Sequence, residues 1–149
     1  DVCFPPDVEC AIGAVNGSGD GVVFIDGSIP HPTLGPIREP IRVEFRGSKI
    51  VDISGGQEAE ALKQLLADAN DPEHAYFMGE IGLGMNPACS LNGRMLEDEG
   101  RAGTIHFGIG DDRSFGGNNI CAQHIDLIFK APTIRVDGRL IMQDGKVVN

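Results

Sequence analysis

Four short segments repeat one alternation, and it constrains the fold more than any other feature. In "VECAIG" Val8, Cys10 and Ile12 alternate with Glu9, Ala11 and Gly13. In "EIGLGM" Ile81, Leu83 and Met85 alternate with Glu80, Gly82 and Gly84. "TIHFGIG" sets Ile105, Phe107 and Ile109 against Thr104, His106, Gly108 and Gly110, and "HIDLIF" sets Ile125, Leu127 and Phe129 against His124 and Asp126. Period-two patterning is that of β-strands, in which residues two apart share a face. Each predicted strand therefore has one apolar face and one face that carries a carboxylate or imidazole beside small residues. A solvated face normally carries longer polar side chains; glycine and alanine beside a lone donor suggest a cavity wall with backbone close to something bound.

The rest of the chain supports an α+β reading. "VVFIDGSI" reads as a further strand, "IRVEF" and "KIVDI" around "RGS" as a hairpin, and "TIRVDGRLIMQDGKVV" as hairpin structure with Asp-Gly turns. One helix is clear: "GQEAEALKQLLADAN" places Ala59, Leu62, Leu65, Leu66 and Ala69 on one stripe, with Glu58 and Glu60 in the first turn and Asp71-Pro72 as its stop. "NPACSLNGRMLEDEG" reads as a loop with helical turns. Strands and helices do not alternate, which predicts α+β with a twisted, partly open, β-barrel-like sheet and one main helix. The 149 residues form one expected domain, with enough apolar content (41%) to bury a core.

A formal charge of −10 disfavours nucleic acid and anionic membrane surfaces as partners. No apolar run reaches membrane-spanning length. Cys3, Cys10, Cys89 and Cys121 lack CxxC spacing, and are expected to be reduced thiols in a cytoplasmic protein. Gly108-x-Gly110 has Arg113 where a dinucleotide fingerprint needs its third glycine, "NGSGDG" has Gly27 where a calcium loop needs Glu, and there is no GxSxG elbow.

A divalent metal fits the donor faces, since carboxylates and imidazoles are ligands for Zn, Mn, Fe or Co. Glu9, Glu80, His106, His124 and Asp126 are the strand candidates, and Glu99 in "LEDEG" is a loop candidate. His31, between two prolines, is an acid-base candidate or a rigid surface turn; His74 has no such frame.

"GEIGLGMNP", "EDEGRAGTIHFGIG" and "GGNNICAQHID", with a weaker "PPDVECAIG", resemble the catalytic part of the M29 metallo-aminopeptidases, the aminopeptidase T type. The resemblance implies the C-terminal part of a longer chain, a metal-binding catalytic domain lacking its N-terminal α/β domain. It implies Glu9, Glu80, Glu99, His106, His124 and Asp126 as ligands of two divalent ions (Zn, Co or Mn). The implied reaction is hydrolysis that removes N-terminal residues from peptides through metal-activated water. Arg113 stands where those peptidases carry a tyrosine, and the "GLGMNP" and "GIGDD" variants resemble a sibling branch that includes iron-dependent dihydroxypyridine ring-cleaving dioxygenases. That alternative implies one Fe(II) on His106, His124 and Asp126. A third reading is a metal-binding domain inactive in isolation. A peptide or small-molecule substrate and a possible homo-oligomer complete the expectations.

Overall fold

The structure, a computed structural model, describes residues 9–148. Strands β1 (Glu9–Gly13), β2 (Gly21–Ile25), β3 (Ser28–Ile29), β4 (Gly35–Pro36), β5 (Ile41–Arg46) and β6 (Lys49–Ser54) precede helices α1 (Gln57–Ala67) and α2 (Pro72–Ala75). Strand β7 (Met78–Gly84), helix α3 (Met95–Gly100), and strands β8 (Thr104–Gly110) and β9 (His124–Lys130) follow, then β10 (Ile134–Val136), β11 (Arg139–Gln143) and β12 (Lys146–Val147). They form a six-stranded sheet in the order β1-β7-β8-β9-β3-β4 and two three-stranded sheets, β2-β5-β6 and β10-β11-β12.

The α+β expectation holds, but the barrel-like closure does not. Closing a sheet requires its edge strands to pair. Here the edges are β1 and β4, and the β4 side consists of two-residue strands too short to close a barrel. The predicted strand "VVFIDGSI" is also divided. Asp26-Gly27 carries the chain from one sheet to another, and Gly27 is seated so closely on β9 that a Cβ there would lie 2.6 Å from the Ile128 carbonyl oxygen.

The hairpin β5-β6 turns through Gly47 and Ser48, both at positive φ (57° and 62°), which is the backbone that two-residue hairpin turns require. Asp137 and Asp144 adopt positive φ before their glycines, so the predicted Asp-Gly turns form. Helix α1 buries Ala59, Leu62 and Leu66. It stops at Ala67, short of the predicted Asp71-Pro72. Those two residues instead start α2, where Pro72 occupies the first turn and the Asp71 carboxylate accepts the His74 amide at 3.4 Å. The main core lies between the six-stranded sheet, the β2-β5-β6 sheet and α1, around Ile25, Ile41, Val43, Leu62, Ile109 and Leu127. Among the described residues no disulfide joins Cys10, Cys89 and Cys121 to one another, while Cys3 and Val8 lie outside the described residues. Among the described residues no helix is long and apolar enough to cross a membrane.

Candidate metal centre

The four segments with the shared alternation are neighbours. β1, β7, β8 and β9 run antiparallel side by side, and their register sets each donor against a glycine. Glu9 pairs with Gly84 and Glu80 with Gly13. His106 pairs with Gly82 and Glu80 with Gly108 across β7-β8. Asp126 pairs with Gly108 and His124 with Gly110 across β8-β9. Directly opposed side chains sit close together, so a donor can lean over its neighbouring strand only where that strand presents no side chain. A Cβ on Gly108 would come within 2.5 Å of both Glu80 Oε2 and the His124 ring, and one on Gly82 would run into the His106 imidazole.

Burial inverts part of the expectation. The donor face is the better buried one: Glu9, Glu80, His106 and Asp126 are almost inaccessible. The apolar face is covered over β9, but at β1 Ile12 is 50% exposed, because the opposing sheet does not reach that far. Helix α3 packs across β7, β8 and β9 on the donor side. It turns "LEDEG" from an expected acidic loop into a helix that brings Glu99 to the site.

The six predicted donors converge, though not equally. Atoms of Glu80, His124 and Asp126 all lie within 4.8 Å of one another. His124 Nε2 is 2.8 Å from Glu80 Oε2 and 3.2 Å from Asp126 Oδ1. Its Nδ1 lies 2.7 Å from the Asp111 carbonyl. A carbonyl can only accept, so Nδ1 carries the proton and Nε2 is left to face the carboxylates, the arrangement typical of a metal-binding histidine. His106 stands behind this group. Its Nε2 is 3.4 Å from Glu80 Oε1 and 3.6 Å from Glu9 Oε2, while its buried Nδ1 has no hydrogen-bond partner among the described residues. It does not line the cavity, of about 260 Å³, into which Glu9, Glu80, Glu99, His124 and Asp126 open. The cavity's remaining walls are Met95, Leu96, Asp111, Ser114 and Phe115, none of which the alternation could reveal because they lie on α3 and a connecting loop. A larger depression of about 560 Å³ beyond Met95 and Leu96 holds no histidine, and its Glu97 is engaged by Ser90 and Asn92.

The electrostatics are those of a cation site. Burial, together with the charges of Asp126, Glu9 and Glu80, pushes the Glu99 carboxyl up to about 9, so it holds a proton and shares it with Asp126. Burial opposes charge on His124, but hydrogen bonds to Asp126 and Glu80 outweigh it and raise the ring to about 11. No arginine or lysine pairs with Glu80, Glu99 or Asp126 among the described residues. Glu80 and Asp126 stay ionised against the His124 ring while Glu99 must take up a proton to stand beside them, and such a crowded donor set is one that a divalent ion fits.

Other candidates fall elsewhere. His31 Nδ1 bonds Thr33 Oγ1 at 2.9 Å in a surface turn, His74 pairs with Asp71 at 2.7 Å, and neither lines the cavity. Arg113 is tied to Asp111 at 2.7 Å.

The family model described as NicX, 2,5-dihydroxypyridine 5,6-dioxygenase, matches residues 6–149. The chain belongs to the NicX family. It is 30% identical over 141 residues to the 2,5-dihydroxypyridine 5,6-dioxygenase of Pseudomonas putida, which covers 88% of this chain and 40% of that relative. The solved structure of 2,5-dihydroxypyridine dioxygenase from Pseudomonas putida KT2440 superposes with a TM-score of 0.79 at 26% identity, covering 89% of this chain and 41% of that one. The chain thus spans about two fifths of the length of the relatives it matches. Membership in NicX overturns the M29 expectation, and with it the hydrolase and aminopeptidase reading. The motifs that carried the M29 resemblance describe a donor-bearing sheet, and that sheet is found here in a dioxygenase family. The two-ion expectation is corrected as well: the donors gather around one point, at Glu80, His124 and Asp126.

Proposed function

We propose that this chain is the metal-bearing part of an oxygen-dependent ring-cleaving enzyme acting on a small dihydroxylated pyridine. The reading rests on NicX membership across residues 6–149 together with one solvent-reachable group of carboxylates and imidazole. Glu80, His124 and Asp126 would hold a single Fe(II), with His106 and Glu9 behind Glu80 orienting its carboxylate. This differs from the set His106, His124 and Asp126 that the dioxygenase resemblance implied, because His106 does not line the cavity. When bound, the ferrous ion supplies the one-electron chemistry that lets dioxygen react with an aromatic ring.

The protein's own groups supply the rest. Asp111 fixes the His124 ring through its carbonyl, and the Glu99 carboxyl holds a proton against Asp126 beside the cavity. Met95, Leu96 and Phe115 give the cavity an apolar wall beside the donors. We take residues 1–149 as one catalytic unit, working in the cytoplasm, with any homo-oligomer built from copies of it.

The test is anaerobic loading with Fe(II), followed by 2,5-dihydroxypyridine and oxygen. The expected result is oxygen uptake matched to loss of the ring's ultraviolet absorbance, both abolished in His124→Ala. Iron and ring binding with no uptake would instead assign turnover to the longer chain of which relatives have more. Failure to retain iron would sink the proposal.

A further inference from the structure

The geometry points to Phe115 as the specificity-determining residue of this site, the side chain whose ring packs against a flat aromatic ligand held at the donors. The inference rests on the ring-cleavage reading only in taking an aromatic ring as the ligand.

Four observations carry it. First, the cavity has two chemically distinct parts. Its carboxylates and His124 can hold a metal and the polar edge of a ligand, while Met95, Leu96 and Phe115 are apolar. Among the described residues no lysine or arginine lines it, so the flat body of a ligand is recognised chiefly by apolar contact. Second, Phe115 is the aromatic member of that lining, and its ring already lies beside His124, with centroids 6.1 Å apart and planes 30° from parallel. An aromatic ligand held on a metal at His124 Nε2 would therefore lie beside that ring, within stacking range.

Third, the position of Phe115 is built rather than incidental. Its amide donates to the Asp112 carbonyl at 3.0 Å, and its backbone rests against β1 where a Cβ on Gly13 would lie 2.7 Å from the Phe115 carbonyl oxygen. Asp112, 1% exposed, anchors the loop by accepting the Asn119 amide at 2.7 Å. Fourth, a volume of about 260 Å³ falls below the usual range for drug-sized ligands and suits a single ring. Leu96, 62% exposed, is the apolar group left at the mouth, available to the ligand's edge.

The experiment compares two chelators on the Fe(II)-loaded chain under anaerobic conditions: 4-nitrocatechol, which brings a ring, and acetohydroxamate, which does not. Phe115→Ala should weaken nitrocatechol about tenfold, as expected for a lost aromatic contact plus its apolar area. Acetohydroxamate affinity should stay within about twofold, since a metal-only ligand gains nothing from stacking. Phe115→Tyr should retain nitrocatechol binding and Phe115→Leu should lose most of it, with iron content constant throughout. Equal weakening of both chelators would make Phe115 a structural support and overturn the inference, as would unchanged nitrocatechol affinity in Phe115→Ala. Failure of the ring-cleavage reading would appear separately, as absent oxygen uptake in the wild type with the chelator ratio intact.

Discussion

Gly108→Ala should empty the metal site while leaving the fold standing. The added Cβ would sit 2.5 Å from Glu80 Oε2 and from the His124 ring. Ordinary carbon contacts begin near 3.5 Å, so each donor must retreat by about 1 Å. Metal–ligand distances tolerate only about 0.2 Å. Loss of a single orienting partner typically costs about 10–100-fold in metal affinity, and here two donors move, so about 100-fold is expected. That corresponds to about 2.7 kcal/mol of binding. The displaced atoms are side-chain ends beside a cavity, so the metal-free fold can absorb the change. Alanine in a strand also recovers about 0.5–1 kcal/mol over glycine. The metal-free melting temperature should therefore shift by no more than about 4 °C. Chelator competition with Fe(II) and calorimetry of the metal-free protein measure the two quantities. Wild-type metal affinity in Gly108→Ala would show that Glu80 and His124 do not meet at a metal. A metal-free protein that no longer folds would show that the glycine serves the sheet rather than the site.

Other outcomes follow from the same geometry. Gly82→Ala should destabilise the fold by about 1–3 kcal/mol in chemical denaturation, because the His106 ring it displaces is enclosed and has nowhere to go. His106→Ala should weaken iron binding about 10–100-fold in a chelator titration, whereas His124→Ala should remove it. Asp112→Ala leaves the buried Asn119 amide without its acceptor, about 1–3 kcal/mol of stability by urea titration, and Asp112→Asn should restore most of it. In the metal-free protein the folded state holds the Glu99 proton up to about 9 against an ordinary value of 4.5, so stability from this group is complete below 4.5 and fades as pH climbs toward 9. His124, raised from 6.5 to about 11, adds stability that is complete below 6.5 and is lost as pH rises toward 11. Melting temperature should thus fall between pH 5 and 9, with a shallower slope in Glu99→Gln, while metal affinity rises over the same range as protons are displaced.

Much of the site was legible because strand parity is a strict rule. Glu80, His106, His124 and Asp126 were placed on one face by counting in twos, and the structure puts them there. What parity cannot give is which face is covered. Ile12 is apolar yet half exposed, and His106 is polar yet enclosed, because burial depends on how far the opposing sheet and α3 extend. Nor does parity rank donors: His106 and His124 share a pattern, and only the Asp111 carbonyl and the cavity wall distinguish them. Phe115 left no periodic signal, since it sits on a short turn between strands. The mistaken peptidase reading arose from the same source as the metal reading, because donor-bearing strand motifs do not encode what an ion would be used for.

The pairing of each donor with a facing glycine has a consequence for how such a site can change over time. A donor and its opposite glycine form a unit, so a carboxylate cannot hop to the neighbouring strand by one substitution. Gly108→Glu alone would crowd Glu80, and Glu80→Gly alone would leave two glycines facing each other with a hole between them. Only the double exchange restores the balance, shifting a ligand sideways by one strand spacing of about 4.8 Å. Drift in metal preference on this sheet should therefore proceed by coupled pairs, and reciprocal swaps across β7 and β8 are the route by which its chemistry can be redesigned.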